Sequence, residues 1–252
     1  MFFHSRTRAK YVFTPVARVP SLLSIGEVNL AKLSNREFGL YFQNSVDISG
    51  IRLLGQSGLF QAIESRLDLM TPKDFYRTLI GLAKCNVLSE SILILINDKL
   101  VQDAAQLRVH EICNLAIEIA VSKNVHCQSL VLFLSTIFSK KIFAANPIDL
   151  AHISMAVAQM DIIDNDLMER IALATCLQIG LCRGPELADI LAAFSILKCH
   201  SEMLFNKSIP HLASKKHTLH PIQLSYLPSL ACAYISAEYI MHLQYFFETK
   251  IN

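Results

Sequence analysis

The residues best equipped for chemistry in this 252-residue chain are its seven cysteines and the histidines beside two of them. Cys199-His200 and His126-Cys127 each pair a thiol with an imidazole, as a nucleophile with its base or two metal ligands would. Adjacent residues on a helix point in different directions, however, and no third ligand or orienting acid accompanies either pair at useful spacing. Cys85, Cys113, Cys127, Cys176, Cys182, Cys199 and Cys232 are odd in number, irregularly spaced and contain no Cys-x-x-Cys pair. They read as small reduced core residues rather than a disulfide framework or a zinc site. No glycine-rich phosphate loop, Ser–His–Asp set or paired-carboxylate site is evident. The sequence therefore predicts no catalytic residue, no metal ligand and no cofactor, and the chain is read as a non-enzyme.

Acids do recur, but with the rhythm of an architecture. An acidic or amide residue followed by a large apolar one stands at Glu37-Phe38, Asp74-Phe75, Glu111-Ile112, Asp149-Leu150, Glu186-Leu187 and Gln223-Leu224, at spacings of 37, 37, 38, 37 and 37. A fixed period of roughly 20 to 50 residues marks a solenoid, in which stacked supersecondary units bury a continuous core. The period predicts about six units starting near residues 34, 71, 108, 146, 183 and 220. Thr71-Pro72-Lys73-Asp74 offers an N-cap hydroxyl, a proline at the first helical position and a carboxylate at the third. Ser34-Asn35-Arg36-Glu37 and Asn146-Pro147-Ile148-Asp149 follow the same plan, and His220-Pro221-Ile222-Gln223 keeps the proline with an amide in place of the acid. Capping and the helix dipole thus explain the recurring acid without catalysis.

Eight residues after each recurring apolar position stands a small side chain, Ala83, Ala120, Ala158, Ser195 or Cys232, with Val46 in the first unit. Small residues on one face let a neighbouring helix approach closely. Second helices are expected near 92–100, 130–137, 167–173, 203–212 and 239–247, after short turns at 86–89, 123–126, 161–165 and 198–201. Each unit is then a helix, a turn and a second helix, and the fold class is an all-α, right-handed solenoid. Gly50, Gly55 and Gly58 interrupt the first unit, which is expected to be atypical, as terminal repeats often are.

Hydrophobic residues make up 52% of the chain and charged residues 17%. The longest apolar stretches, 112–121 and 130–138, are too short for a hydrocarbon core that needs about 20 residues, so no membrane span is expected and both helices of each unit are read as largely buried. Arg6, Arg8, Lys10 and Arg18 precede the first acid, Glu27, with Ser and Thr between them. This composition reads as a mitochondrial transit peptide over residues 1–33, the alternative being a basic partner-binding arm. The whole chain carries +2; residues 1–33 hold five basic residues and one acidic, which leaves 18 and 20, or −2, for the body at 34–252.

The helix pair in about 37 residues, the Pro-x-Asp-Leu-like opening and the segments 150–158 and 186–194 resemble the heptatricopeptide-type repeats of organellar proteins, kin in plan to pentatricopeptide and octotricopeptide repeats. The likeness covers residues 71–252 and extends more weakly over 34–70. It implies a mitochondrial matrix protein associated with RNA, a maturation factor or a structural subunit of the mitochondrial ribosome. Many relatives end in a RAP domain, which has no counterpart in this sequence, so a bare repeat module is implied.

Two interaction readings follow. Lys140-Lys141 and Lys215-Lys216 lie at equivalent unit boundaries two repeats apart and are candidates for contact with a phosphate backbone, although lysines at a helix C-terminus also complement the dipole. Tyr245, Phe246 and Phe247 are candidates for protein docking, or else ordinary core. The first reading makes the chain an RNA-associated structural subunit of a mitochondrial ribonucleoprotein, with mitochondrial RNA and neighbouring proteins as partners and no small-molecule substrate. The second, the alternative, makes it a protein-binding scaffold in a mitochondrial complex, which the near-neutral body favours; the repeat resemblance favours the first, and the sequence is read as that RNA-associated subunit, with the mitochondrial ribosome as its complex.

Overall fold

The structure is a computed structural model that describes residues 32–44, 55–122 and 125–219. Described residues form ten α-helices: α1 (Asn35–Asn44), α2 (Gly55–Glu64), α3 (Pro72–Lys84), α4 (Glu90–Asp103), α5 (Val109–Val121), α6 (Gln128–Lys141), α7 (Pro147–Gln159), α8 (Asn165–Leu177), α9 (Gly184–Ile196) and α10 (Glu202–Ser214). No strand occurs among them, and no helix among them is long and apolar enough to cross a membrane. The unit expected from 220, Cys232, Val46 and Gly50, and Tyr245, Phe246 and Phe247 lie outside the described residues.

The helices alternate between two rows, an all-helical and repeat-like arrangement. Each odd helix packs on the next odd one, from α1 through α3, α5 and α7 to α9, while α2 packs on α4, α6 on α8 and α8 on α10. Odd helices are covered on nearly all sides: α7 buries Leu150, Ala151, Ile153, Met155, Ala156, Val157 and Ala158. Even helices bury less, as α4 does with a stripe of Ile92, Ile96 and Leu100 at intervals of four, although α8 buries seven residues. The expectation that both helices are largely buried thus holds for the odd row and for α8, while the other even helices have neighbours on one side and water on the other.

Small residues set the spacing of the odd row. Ala83, Ala120 and Ala158 are buried as expected, and Ser195 is half-buried. Between α1 and α3 the approach is closer still, since a β-carbon on Gly81 would overlap the backbone and β-carbon of Phe42. In the first unit the described residues stop at Asn44 and resume at Gly55, so the expectation that this unit is atypical falls on residues outside those described; Gly58 lies within α2.

Two junctions repeat along the chain. Where α3, α7 and α9 end, Asn86, Asp161 and Lys198 adopt φ of 53°, 53° and 56°, the left-handed conformation that closes a helix C-terminus. The next residue turns its N–H back across the last turn, Val87 to Leu82 O at 3.1 Å, Ile162 to Val157 O at 2.9 Å and Cys199 to Phe194 O at 2.9 Å. This bond and the left-handed residue before it make a Schellman motif without glycine. At the other junction every even helix ends in a 3-10 turn, the first at Leu67–Leu69 and the last at Lys216–Thr218. A buried residue, Met70, Leu107, Ala145 or Cys182, then leads into the next odd helix, and Leu219 is buried in the same register.

Candidate functional site

The recurring acids stand where capping requires them. Ser34 N–H donates to Glu37 Oε2 at 2.8 Å, and the Glu37 N–H donates back to Ser34 Oγ at 3.3 Å. Asn146 and Asp149 make the same reciprocal pair at 3.1 and 3.0 Å. At Arg108 and Arg183 the cap side chain has no acceptor, so only the carboxylate half is made, to Glu111 at 2.9 Å and Glu186 at 2.8 Å. Bonds from the Ser34 side chain and backbone hold the Glu37 carboxyl below its usual range. Burial pushes Asp149 up, opposed by the Asn146 N–H and the nearby His110 and His152. The apolar partner of each acid is the fourth helical residue, and Phe75, Ile112, Leu150 and Leu187 are all buried, as is the residue before each cap. Together these are the two ends of a hydrophobic staple, so the 37-residue dyad marks one staple and one helix cap per unit, with the box complete at Ser34 and Asn146.

Lys141 and Lys215, two of the four lysines offered to RNA, are engaged in the architecture. Lys141 Nζ donates to Ala105 O and Leu107 O, both at 2.8 Å, and Lys215 Nζ donates to Cys182 O at 2.6 Å. Two further residues in the same register do the same. Arg66 donates to Leu33 O at 2.5 Å, and Gln178 Nε2 donates to Ala145 O at 3.0 Å. Positions 66, 103, 141, 178 and 215 thus form one column, five residues before each next cap, whose donors reach the carbonyl that leads into the same unit's first helix. Arg66 also lies over the Phe38 ring, 5.2 Å from its centroid. In the 71–107 unit the column holds Asp103, which has no donor and lies 3.2 Å from Lys99 Nζ. The column was missed in the sequence because its members are Arg, Asp, Lys, Gln and Lys; aligning the units on their caps would have exposed it. Lys140 is exposed and makes no ion pair among the described residues, and the side chain of Lys216 lies outside them.

The Cys–His pairs are split by burial. Cys127 is buried with its thiol pushed up to about 11, while His126 is exposed. Cys199 is buried and raised for the same reason, with His200 exposed. A thiol held protonated inside and an imidazole outside do not form a nucleophile and base. Among the described residues no three His, Cys, Asp or Glu side chains gather where they could hold a metal ion.

A polar chain does cross the odd row. Burial pushes the Tyr76 hydroxyl up to about 12, with a side-chain hydrogen bond to Asn114 opposing it. Asn114 Oδ1 in turn lies 3.0 Å from His152 Nδ1 on α7. Burial holds the His152 imidazole below its usual pKa, against the pull of Asp149 and Glu186. Arg77, Asn114, His152 and Asp189 are register equivalents on successive odd helices, all half-buried.

The remaining candidate surface is apolar. Leu69, Ile94, Phe143, Ile163, Leu177 and Leu181 are each at least two-thirds exposed on the helices and turns. Compared with known protein families and with curated proteins, the chain matches none.

Proposed function

We propose that this chain is a non-catalytic helical-repeat protein that works by binding, a docking subunit of a mitochondrial assembly held mainly through protein contacts. The observation that carries the reading is the use of the donor column: Lys141 and Lys215, which would have lined one edge with charge, are turned inward onto backbone carbonyls. What the array offers outward includes large apolar side chains such as Phe143, Leu177 and Leu181. Protein interfaces draw on such groups, whereas a phosphate backbone needs free cations. The two alternating rows support a helical-repeat solenoid, the 37-residue period supports about six units with a sixth from residue 220, and the right-handed sense rests on the heptatricopeptide-like plan. The basic composition of residues 1–33 supports mitochondrial delivery.

A second reading keeps the RNA-associated subunit of a mitochondrial ribonucleoprotein, the ribosome. Its support is the heptatricopeptide-like repeat plan and the exposed Lys140. Crosslinking and immunoprecipitation of the tagged protein from isolated mitochondria, with RNA sequencing and mass spectrometry on one sample, separates the two. Protein crosslinks with no RNA above background are expected. Ribosomal RNA crosslinks along the repeat body would overturn the protein-docking reading in favour of the second.

A further inference from the structure

Glu169, Leu173 and Leu177 follow one another at intervals of four on one face of α8, Leu181 ends the 3-10 turn that follows, and all four are exposed. Leu177 and Leu181 are 70% and 73% exposed, and Phe143, in the turn after α6 that packs against α8, is 74% exposed. The repeat itself does not call for leucine here. Positions equivalent to Leu173 hold Asp98 and Thr136, and those equivalent to Leu177 hold Gln102, Lys140 and Ser214. Within this apolar face Leu173 and Leu177 are thus particular to this unit, whereas Leu181 has an exposed counterpart in Leu69, and Phe143 comes from the preceding unit.

Its charges are laid out asymmetrically. Asp166 and Glu169 stand at the N-terminal end of the stripe, while Lys140 on α6 shares the register of Leu177 near the opposite end. All three are exposed, and none makes an ion pair among the described residues. A twofold contact uses the same patch on both partners, so the patch must complement itself. Acid at one corner and base at the other meet that condition.

We propose that this face is where two copies of the chain pair about a twofold axis passing beside Leu177. Leu177 then meets its own copy, Phe143, Leu173 and Leu181 are covered around it, and Glu169 of each copy comes over Lys140 of the other. The apolar centre supplies the affinity, and the two crossed ion pairs fix the orientation.

Sedimentation velocity of the full chain across a concentration series tests this directly. A dimer is expected, and Leu177→Glu weakens it by at least about tenfold in Kd. Residue 177 is exposed in the single chain, so circular dichroism of that variant stays unchanged, and its thermal midpoint falls only at concentrations where the parent chain is dimeric. Lys140→Glu and Glu169→Lys each weaken the dimer, and the double variant restores it, because each new acid meets the other copy's new base. A chain that stays monomeric throughout overturns the proposal and leaves the face to a different partner. A dimer indifferent to Leu177→Glu, or a double variant no tighter than the single ones, overturns it equally by placing the contact elsewhere.

Discussion

Lys141 Nζ lies 2.8 Å from the carbonyl oxygen of Leu107, 34 residues upstream, and so ties the end of α6 to the entry of α5 within one unit. Lys215 repeats the tie to Cys182 across 33 residues, while Lys140, next to Lys141 in sequence, faces solvent. One position of difference on a helix separates a structural lysine from a surface one.

Lys141→Ala therefore lowers stability by about 1–2 kcal/mol, the worth of a charge-assisted bond plus the stranded carbonyls. Lys140→Ala changes it by less than about 0.5 kcal/mol. Urea midpoints followed by circular dichroism read both; equal effects of the two substitutions would remove the tie as a stabilising device.

Asn146 accepts from the Asp149 N–H at 3.0 Å and starts α7 in the middle of the array. Asn146→Ala is expected to cost about 1 kcal/mol, the usual loss of a cap. At Arg108, whose side chain cannot accept, Arg108→Ser adds the missing half of the box and raises stability by a few tenths of a kcal/mol. Thermal midpoints of the two variants should move in opposite directions.

Lys198 holds a φ of 56°, a conformation that costs a side chain with a β-carbon about 1 kcal/mol. Lys198→Gly removes that strain at the C-terminus of α9 and raises stability by about 0.5 kcal/mol net of backbone entropy. Asn86→Gly gains less, because asparagine tolerates the left-handed region. Chemical denaturation of the two variants side by side gives the ranking.

The buried His152 gives stability a pH dependence of known sign. Its folded pKa lies below the unfolded value near 6.5, so the unfolded chain binds the proton first. Its contribution is present above about pH 6.5 and is lost as pH falls from there toward the folded pKa. His152→Gln, which keeps an amide beside Asn114, is expected to flatten the fall in thermal midpoint between pH 7.5 and 6. An unchanged slope would assign the acid sensitivity to other groups.

Gly81 lies against Phe42 so closely that Gly81→Ala must push α1 away from α3. A cost of about 1–3 kcal/mol is expected from overpacking, despite the better helix propensity of alanine. Limited proteolysis should show the N-terminal unit cut first in this variant.

The helical units and their starts were legible in the sequence because capping is local: Thr71, Asp74 and Phe75 act within a single turn. Small residues such as Ala120 and Ala158 were legible as contact points for the same reason, recurring at a fixed offset from each start. The donor column was not, since Arg66, Gln178 and Lys215 share no residue type and their targets lie about 33 residues away. Nor was the split of the Cys–His pairs, which depends on which side of a turn faces the core.

By itself, then, the sequence determined an all-helical chain of repeated helix pairs, since period, caps and apolar spacing act over distances shorter than one unit. Only the tertiary structure decided which lysines are spent on backbone carbonyls, which helix row is enclosed and where leucines stand uncovered. Those outcomes depend on the directions of side chains relative to neighbouring units, and direction on a helix changes by about 100° with every residue.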